Sequence, residues 1–290
     1  MTKRLMRDGY VILAVVFVAL RLLAIPPWAD SVDAYAYWTT RTGDFYATAE
    51  TGQIGAYLYS PVFAQLLTPL VVLPLAAFTA LWTALNCAAV WWLFRGSALA
   101  SLLFLPIPFE IISGNVHLLY AVAIVVGFRW PAAWALMLLT KVTPGIGLLW
   151  FAGRREWRSL VTALAVTAAI AGASYLLDPA SWRRWIELLG VGAGTAGGGA
   201  LTTVGYYLPV PLLPRLVLAA LVVLFASLTN RRWLVPVAVV LALPVIWSNS
   251  LAILAAVYPL WRARSNRESV SPKSPEGTDQ AASLAVRVAD

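Results

Sequence analysis

Apolar residues run through this chain in long blocks separated by short polar breaks, too continuous to be the single buried stripe of a soluble helix. A membrane-crossing helix takes about 20 apolar residues. Ten stretches approach that length: Tyr10 to Ile25, Pro61 to Leu75, Ala76 to Phe94, Ser97 to Ile112, Val116 to Phe128, Pro131 to Phe151, Ser159 to Leu177, Leu208 to Leu228, Leu234 to Trp247 and Leu251 to Trp261. The first is preceded by Lys3, Arg4 and Arg7 and closed by Pro26, Pro27 and Trp28, an outline it shares with a cleaved leader. The later stretches hold the chain in the membrane either way, so the first is read as a helix. The pattern therefore predicts an all-α, polytopic transmembrane helix bundle of about ten spans over residues 1–262. A Ser/Pro/charge-rich tail at 263–290 reads as disordered and cytoplasmic.

Two polar interruptions are long, 26–60 and 178–207. With the N-terminus inside, Arg154, Arg155, Arg158, Arg231, Arg232 and the Arg262, Arg264, Arg267 group fall in the cytoplasm, as the positive-inside rule expects. Both long interruptions then fall outside, which makes that face the functional one and both termini cytoplasmic. In the first, Asp33, Tyr37 and Arg41 share one helical stripe at i, i+4, i+8, with Asp30 or Ser31 as N-cap. In the second, Trp182, Trp185 and Leu189 form the apolar side of an amphipathic helix able to lie on a membrane surface. A glycine-rich run, Gly190 to Gly199, follows it.

Composition narrows the chemistry. Of the 290 residues 61% are hydrophobic and only 12% charged, against about 25% charged in an ordinary soluble domain. The net charge of +8 is spread in ones to threes between apolar runs, which argues for membrane topology and against a nucleic-acid partner. One Cys (Cys87) and one His (His117) support neither a disulfide framework nor a His/Cys metal site. Among the 13 acids only Asp30, Asp33, Asp44, Glu50, Asp178 and Glu187 fall on the outer face, with Glu110 inside or beside a span. Charges within spans are costly and default to functional roles. Glu110, followed by Ser113-Gly114-Asn115-Val116-His117, and Lys141, in Thr140-Lys141-Val142-Thr143-Pro144, both sit beside helix breakers. Simple alternation of spans carries Asn115 and His117 to the end away from the acidic loop, unless Ser97 to Phe128 forms a hairpin that does not cross.

The order of these elements resembles glycosyltransferase family 87: Asp-x-x-x-Tyr from Asp33, Tyr57-x-Tyr59-Ser-Pro61, a Gly-Asn pair opening an apolar run, and Lys141-Val-Thr-Pro144 before an Arg-rich turn. Where the family has Tyr-Pro-Pro and Gly-Gln-x-Asn, this chain has Tyr59-Ser60-Pro61 and Gly114-Asn115-Val116-His117. The resemblance implies a GT-C type membrane fold with a helical first outer loop, and transfer of a sugar from a polyprenyl-phosphate donor to a lipid-linked or cell-envelope acceptor. Mannose is the sugar it points to, with arabinofuranose the alternative. It implies Asp33 as the base that takes the acceptor proton. The departing phosphate would be held by Lys141, with Arg41, Arg183 and Arg184 as further cationic candidates. Tyr37, Tyr57, Tyr59, Asn115 and His117 are the candidate substrate contacts. Asp30 and Asp33 could share a divalent cation with the donor phosphate. Against these stand plainer readings: Asp33 as a first-turn acid on the helix dipole, Tyr57 and Tyr59 as interfacial anchors, His117 as a packing hydrogen-bonder, Lys141 as a partner of Glu110. A transporter or lipid flippase is the competing class. It calls for paired broken helices in the two halves, and the breaks near residues 114 and 144 have no counterpart in the second half of the sequence.

Overall fold

A computed structural model of the chain describes residues 2–25, 31–46, 54–195 and 210–270, and among these the secondary structure is entirely helical. Two helices are long and apolar enough to cross a membrane, Leu75–Ser101 and Trp157–Leu177, and a bent pair could make a third. The ten uninterrupted spans expected from the pattern are thus mostly shorter helices, divided where Pro and Gly remove amides or permit reversals.

Helix α1 (Thr2–Leu22) runs antiparallel to the long helix that begins at Leu75. Tyr10 donates to the Cys87 carbonyl at 2.7 Å, while Arg21 at the other end of α1 reaches Thr83 and the Ile112 carbonyl. α2 (Val32–Trp38) follows, continued by a 3-10 turn at Thr39–Thr42. The stretch 61–75, expected as a single span, is broken. α3 (Pro61–Leu67) has seven residues, and the chain turns back so that Trp38 Nε1 donates to the Leu73 carbonyl at 2.8 Å. Both of its ends therefore lie beside α2. α4 (Leu75–Phe94) and α5 (Ala98–Ser101) then carry the chain to the far end.

Three reversals bring the chain back toward α2. The first joins α6 (Pro106–Ser113) to α7 (His117–Gly127) through a bend of 114°. Gly114 makes it, at φ +72°, where a Cβ would lie 2.9 Å from that of Ala34 and overlap the Ser31 hydroxyl. Ser31 Oγ donates to the Ser113 carbonyl at 3.0 Å, so the reversal is seated on α2. Residues 97–128 thus form a hairpin whose turn carries Asn115 and His117 to the α2 end.

The second reversal lies inside 131–151, expected as one span. α8 (Ala135–Leu138) ascends, the chain turns at Lys141, and a 3-10 segment (Thr143–Leu148) with α9 (Leu149–Gly153) descends. Trp134, Trp150 and Phe151 all pack on Phe128, with ring centroids 6.4, 5.3 and 6.4 Å away, so both legs end at one level. At the other level the Leu139 carbonyl accepts from Ser60 and Thr140 pairs with Tyr120. Pro144, lacking an amide, blocks a continuous helix through this turn.

α10 (Trp157–Leu177) is a full-length apolar helix leading to α11 (Pro179–Thr195). Trp182 of α11 donates to Ser174 at 2.9 Å and packs edge-on against the buried Trp185, so the aromatic side of this helix is turned onto the protein. Leu189 does not share that side; it is exposed together with Ile186. α12 (Leu212–Leu228) returns to the far end, and α13 (Val235–Leu241) rises into the third reversal, followed by a 3-10 segment (Ser248–Ala256) and α14 (Val257–Val270), which runs past residue 262. The buried Arg215 holds this reversal by donating to the carbonyls of Leu241, Leu243 and Pro244.

Candidate active site

The three reversals converge beneath α2, and Asn115 lies at their centre. The amide oxygen of Asn115 accepts from Val116 N at 2.7 Å and from the Tyr59 hydroxyl at 3.0 Å, with the Tyr37 hydroxyl 3.2 Å away. Tyr37 and Tyr59 are buried, pack edge to face, and their hydroxyls lie 3.0 Å apart. Burial raises both phenols well above their ordinary range, so they stay protonated and serve as donors. With its oxygen occupied, Asn115 turns its amide N–H toward the carboxylate of Asp33.

Asp33 lies in the first turn of α2 and is partly exposed, whereas Ala34, Ala36 and Tyr37 of the same helix are buried. Its carboxyl is raised above the ordinary carboxylate range, first by burial and then by the charge of Glu110, with His117, Lys141 and the Asn115 hydrogen bond opposing. Lys141 stands on the second reversal with its ammonium 5.0 Å from the Tyr59 ring centroid, within electrostatic reach of Asp33 and Glu110. A carboxylate, a cation and oriented donors thus meet in one partly open place.

Below Asn115, Glu110 is fully buried. Its oxygens accept from His117 N at 2.6 Å and Asn249 Nδ2 at 3.0 Å, and His117 Nδ1 lies 3.0 Å from Oε2. His117 Nε2 lies 3.4 Å from Ser250 Oγ.

Of the sequence-derived candidates, Asp33, Tyr37, Tyr59, Asn115, His117 and Lys141 are brought together. Tyr57 is buried beside them, but its hydroxyl donates to the Ser60 carbonyl at 2.8 Å and its ring packs on Phe45 and Tyr46. Arg41 leaves the Asp33–Tyr37 stripe because the chain tightens to 3-10 geometry after Trp38; its guanidinium stacks on Trp38 at 3.5 Å. Arg184 pairs with Asp44 near the surface and Arg183 is exposed. Ser31 takes the N-cap position of α2, and its hydroxyl serves Ser113 instead of the helix amides. Asp178 is held below the ordinary carboxylate range, chiefly by hydrogen bonds from Ser181 at the start of α11. Asp30 and Glu50 lie outside the described residues, and with Asp30 the candidate cation pair. Asn249 and Ser250 were not singled out in the sequence, although the polar triplet Ser248-Asn249-Ser250 between two apolar runs was their visible signal.

A model of glycosyltransferase family 87 matches residues 57–271, more than two thirds of the chain. The chain belongs to glycosyltransferase family 87. No curated protein and no solved structure matches it. As a family 87 protein it is a membrane glycosyltransferase, acting on a sugar donor and an acceptor. The family 87 match begins at Tyr57, so Asn115, His117, Lys141 and Asn249 fall within it while Asp33 precedes it.

Proposed function

We propose that this family 87 enzyme moves a sugar, mannose, from a polyprenyl-phosphate donor to a lipid-linked or cell-envelope acceptor, with inversion at the anomeric carbon and Asp33 as general base. The observation that carries the reading is the meeting of a raised, partly exposed carboxylate with the ammonium of Lys141 on an otherwise charge-poor chain. A base works best with a pKa near the operating pH, which the setting of Asp33 favours.

In this mechanism the acceptor hydroxyl gives its proton to Asp33 as its oxygen bonds to the anomeric carbon. The bond from that carbon to the donor phosphate oxygen breaks on the opposite face. The polyprenyl phosphate leaves with the electron pair, and Lys141 stabilises its charge. Asn115 fixes the carboxylate through its N–H. Arg41, stacked on Trp38, and the exposed Arg183 and Arg184 of α11 are further cations for the donor headgroup.

We further read the shorter broken passages as membrane-crossing too, about ten in all, with both termini cytoplasmic and α2 on the outer face of the cell membrane. The distribution of charge supports this. Arg154 donates to the Ser227 carbonyl, Arg232 stacks over Phe128 and Trp150, and Arg262 reaches Tyr258, which lies 3.3 Å from Ser97. Arg95, Arg129 and Arg231 are chain neighbours of these groups. All of these cations gather at the end opposite α2.

The test is Asp33→Asn in membranes supplied with radiolabelled polyprenyl-phosphate-mannose. Transfer should fall to background while the protein is made and extracted as wild type. Retained transfer would remove Asp33 from the base role.

A further inference from the structure

Glu110 is an unusual residue to bury completely in a membrane bundle, because a carboxylate taken out of water costs several kcal/mol unless its oxygens are well supplied with donors. It is so supplied. His117 and Leu118 amides at the open end of α7, the His117 ring and the Asn249 side chain all point at it. The amides opening a helix have no partner within the helix and favour a negative charge. Asn249 Nδ2 also lies 2.8 Å from Ser113 Oγ, so α6, α7 and the 3-10 segment 248–256 are tied at one point, with Asn115 between the ties.

We propose that Glu110 is a positioning residue for Asp33: its buried carboxyl holds the Gly114 reversal in place by taking the amides that open α7 and the Asn249 side chain, and so fixes Asn115, whose N–H sets the direction of the Asp33 carboxylate. This rests on the reading of Asp33 as the base. The groups facing Asp33 are Glu110 from α6, His117 from α7, Lys141 from the second reversal and Asn115 from the first, with Tyr37 and Tyr59 on the far side of Asn115. Glu110 is the one among them that ties α6 to the opening of α7 and to the 3-10 segment 248–256. An apolar residue of similar size could fill the space, but it would not clamp the α7 amides.

The test uses the full chain, assayed with whichever donor wild-type membranes turn over, polyprenyl-phosphate-mannose or polyprenyl-phosphate-arabinofuranose. Glu110→Gln should lower kcat roughly 10- to 100-fold, the range a small misplacement of a catalytic group produces. It should leave the donor KM unchanged. Glu110→Asp, which keeps a carboxyl at the clamp, should recover part of the lost kcat. Asn249→Ala, which leaves the carboxyl in place and loosens the clamp, should lower kcat without changing donor KM. Wild-type kcat in Glu110→Gln or in Asn249→Ala, or a donor KM that rises as kcat falls, would overturn the proposal. Asp33→Asn in the same assay separates the two readings. If it is inactive and Glu110→Gln keeps the wild-type kcat, positioning alone fails; if it is active, the base reading fails.

Discussion

At the scale of single residues, a carboxylate is steered by what faces it. Burial and Glu110 raise Asp33, whereas Asp178, hydrogen-bonded by Ser181, is lowered. A base must be deprotonated to act, and a raised pKa means that activity is lost earlier as pH falls. The kcat of the wild-type enzyme should therefore decline on acidification at a pH above the ordinary carboxylate range. Asn115→Ala removes a donor that favours the ionised form, so its ascending limb should shift to higher pH. A profile for Asn115→Ala unmoved or moved downward would show that Asn115 does not hydrogen-bond the working carboxylate. Asp33 and Lys141 were legible in the sequence because charges are scarce there. The setting of Asn115 was not, since Asp33, Tyr37 and Tyr59, which surround its side chain, come from segments far away in the chain.

At the scale of elements, reversals matter more than spans. Gly114 occupies a left-handed conformation that costs other residues about 1–2 kcal/mol, and a side chain there meets Ser31 and Ala34. Gly114→Ala should lower the thermal midpoint of the detergent-extracted protein by at least that equivalent and reduce transfer together with it, because α2 is lifted from Asn115. An unchanged midpoint would mean that the turn relaxes freely and that its contact with α2 is dispensable. Hydrophobic pattern located Gly114 and Pro144 as breaks, but it could not tell a break between two spans from a reversal within one. Apolar content is the same in both cases; the difference lies in which neighbour the turn packs against. The aromatic side of α11 makes the same point. Trp182 and Trp185 read as a membrane-facing stripe, yet Ser174 supplies a partner for one indole and the fold buries the other.

At the scale of the whole molecule, the hairpin at 131–153 changes which loops share a side. Strict alternation separates Arg129 from Arg158, whereas the packing of Trp134 and Trp150 on Phe128 places both at one end. Cys87 is buried, so a membrane-impermeant thiol reagent reads single introduced cysteines without background. Arg129→Cys and Arg158→Cys should label from the same side of sealed vesicles, and labelling from opposite sides would restore the alternating topology. By itself the sequence determined the membrane solvent, the helical class, the family and the short supply of charge from which a site could be built. Those follow from composition and local pattern, which act along the chain whatever it folds into. Only the tertiary structure decided that Asn115, Lys141 and Asn249 meet beneath Asp33, because that depends on three turns choosing the same end of the bundle. What selects the end is contact between distant segments: Ser31 on Ser113, Ser60 on Leu139, and Asn249 on Glu110.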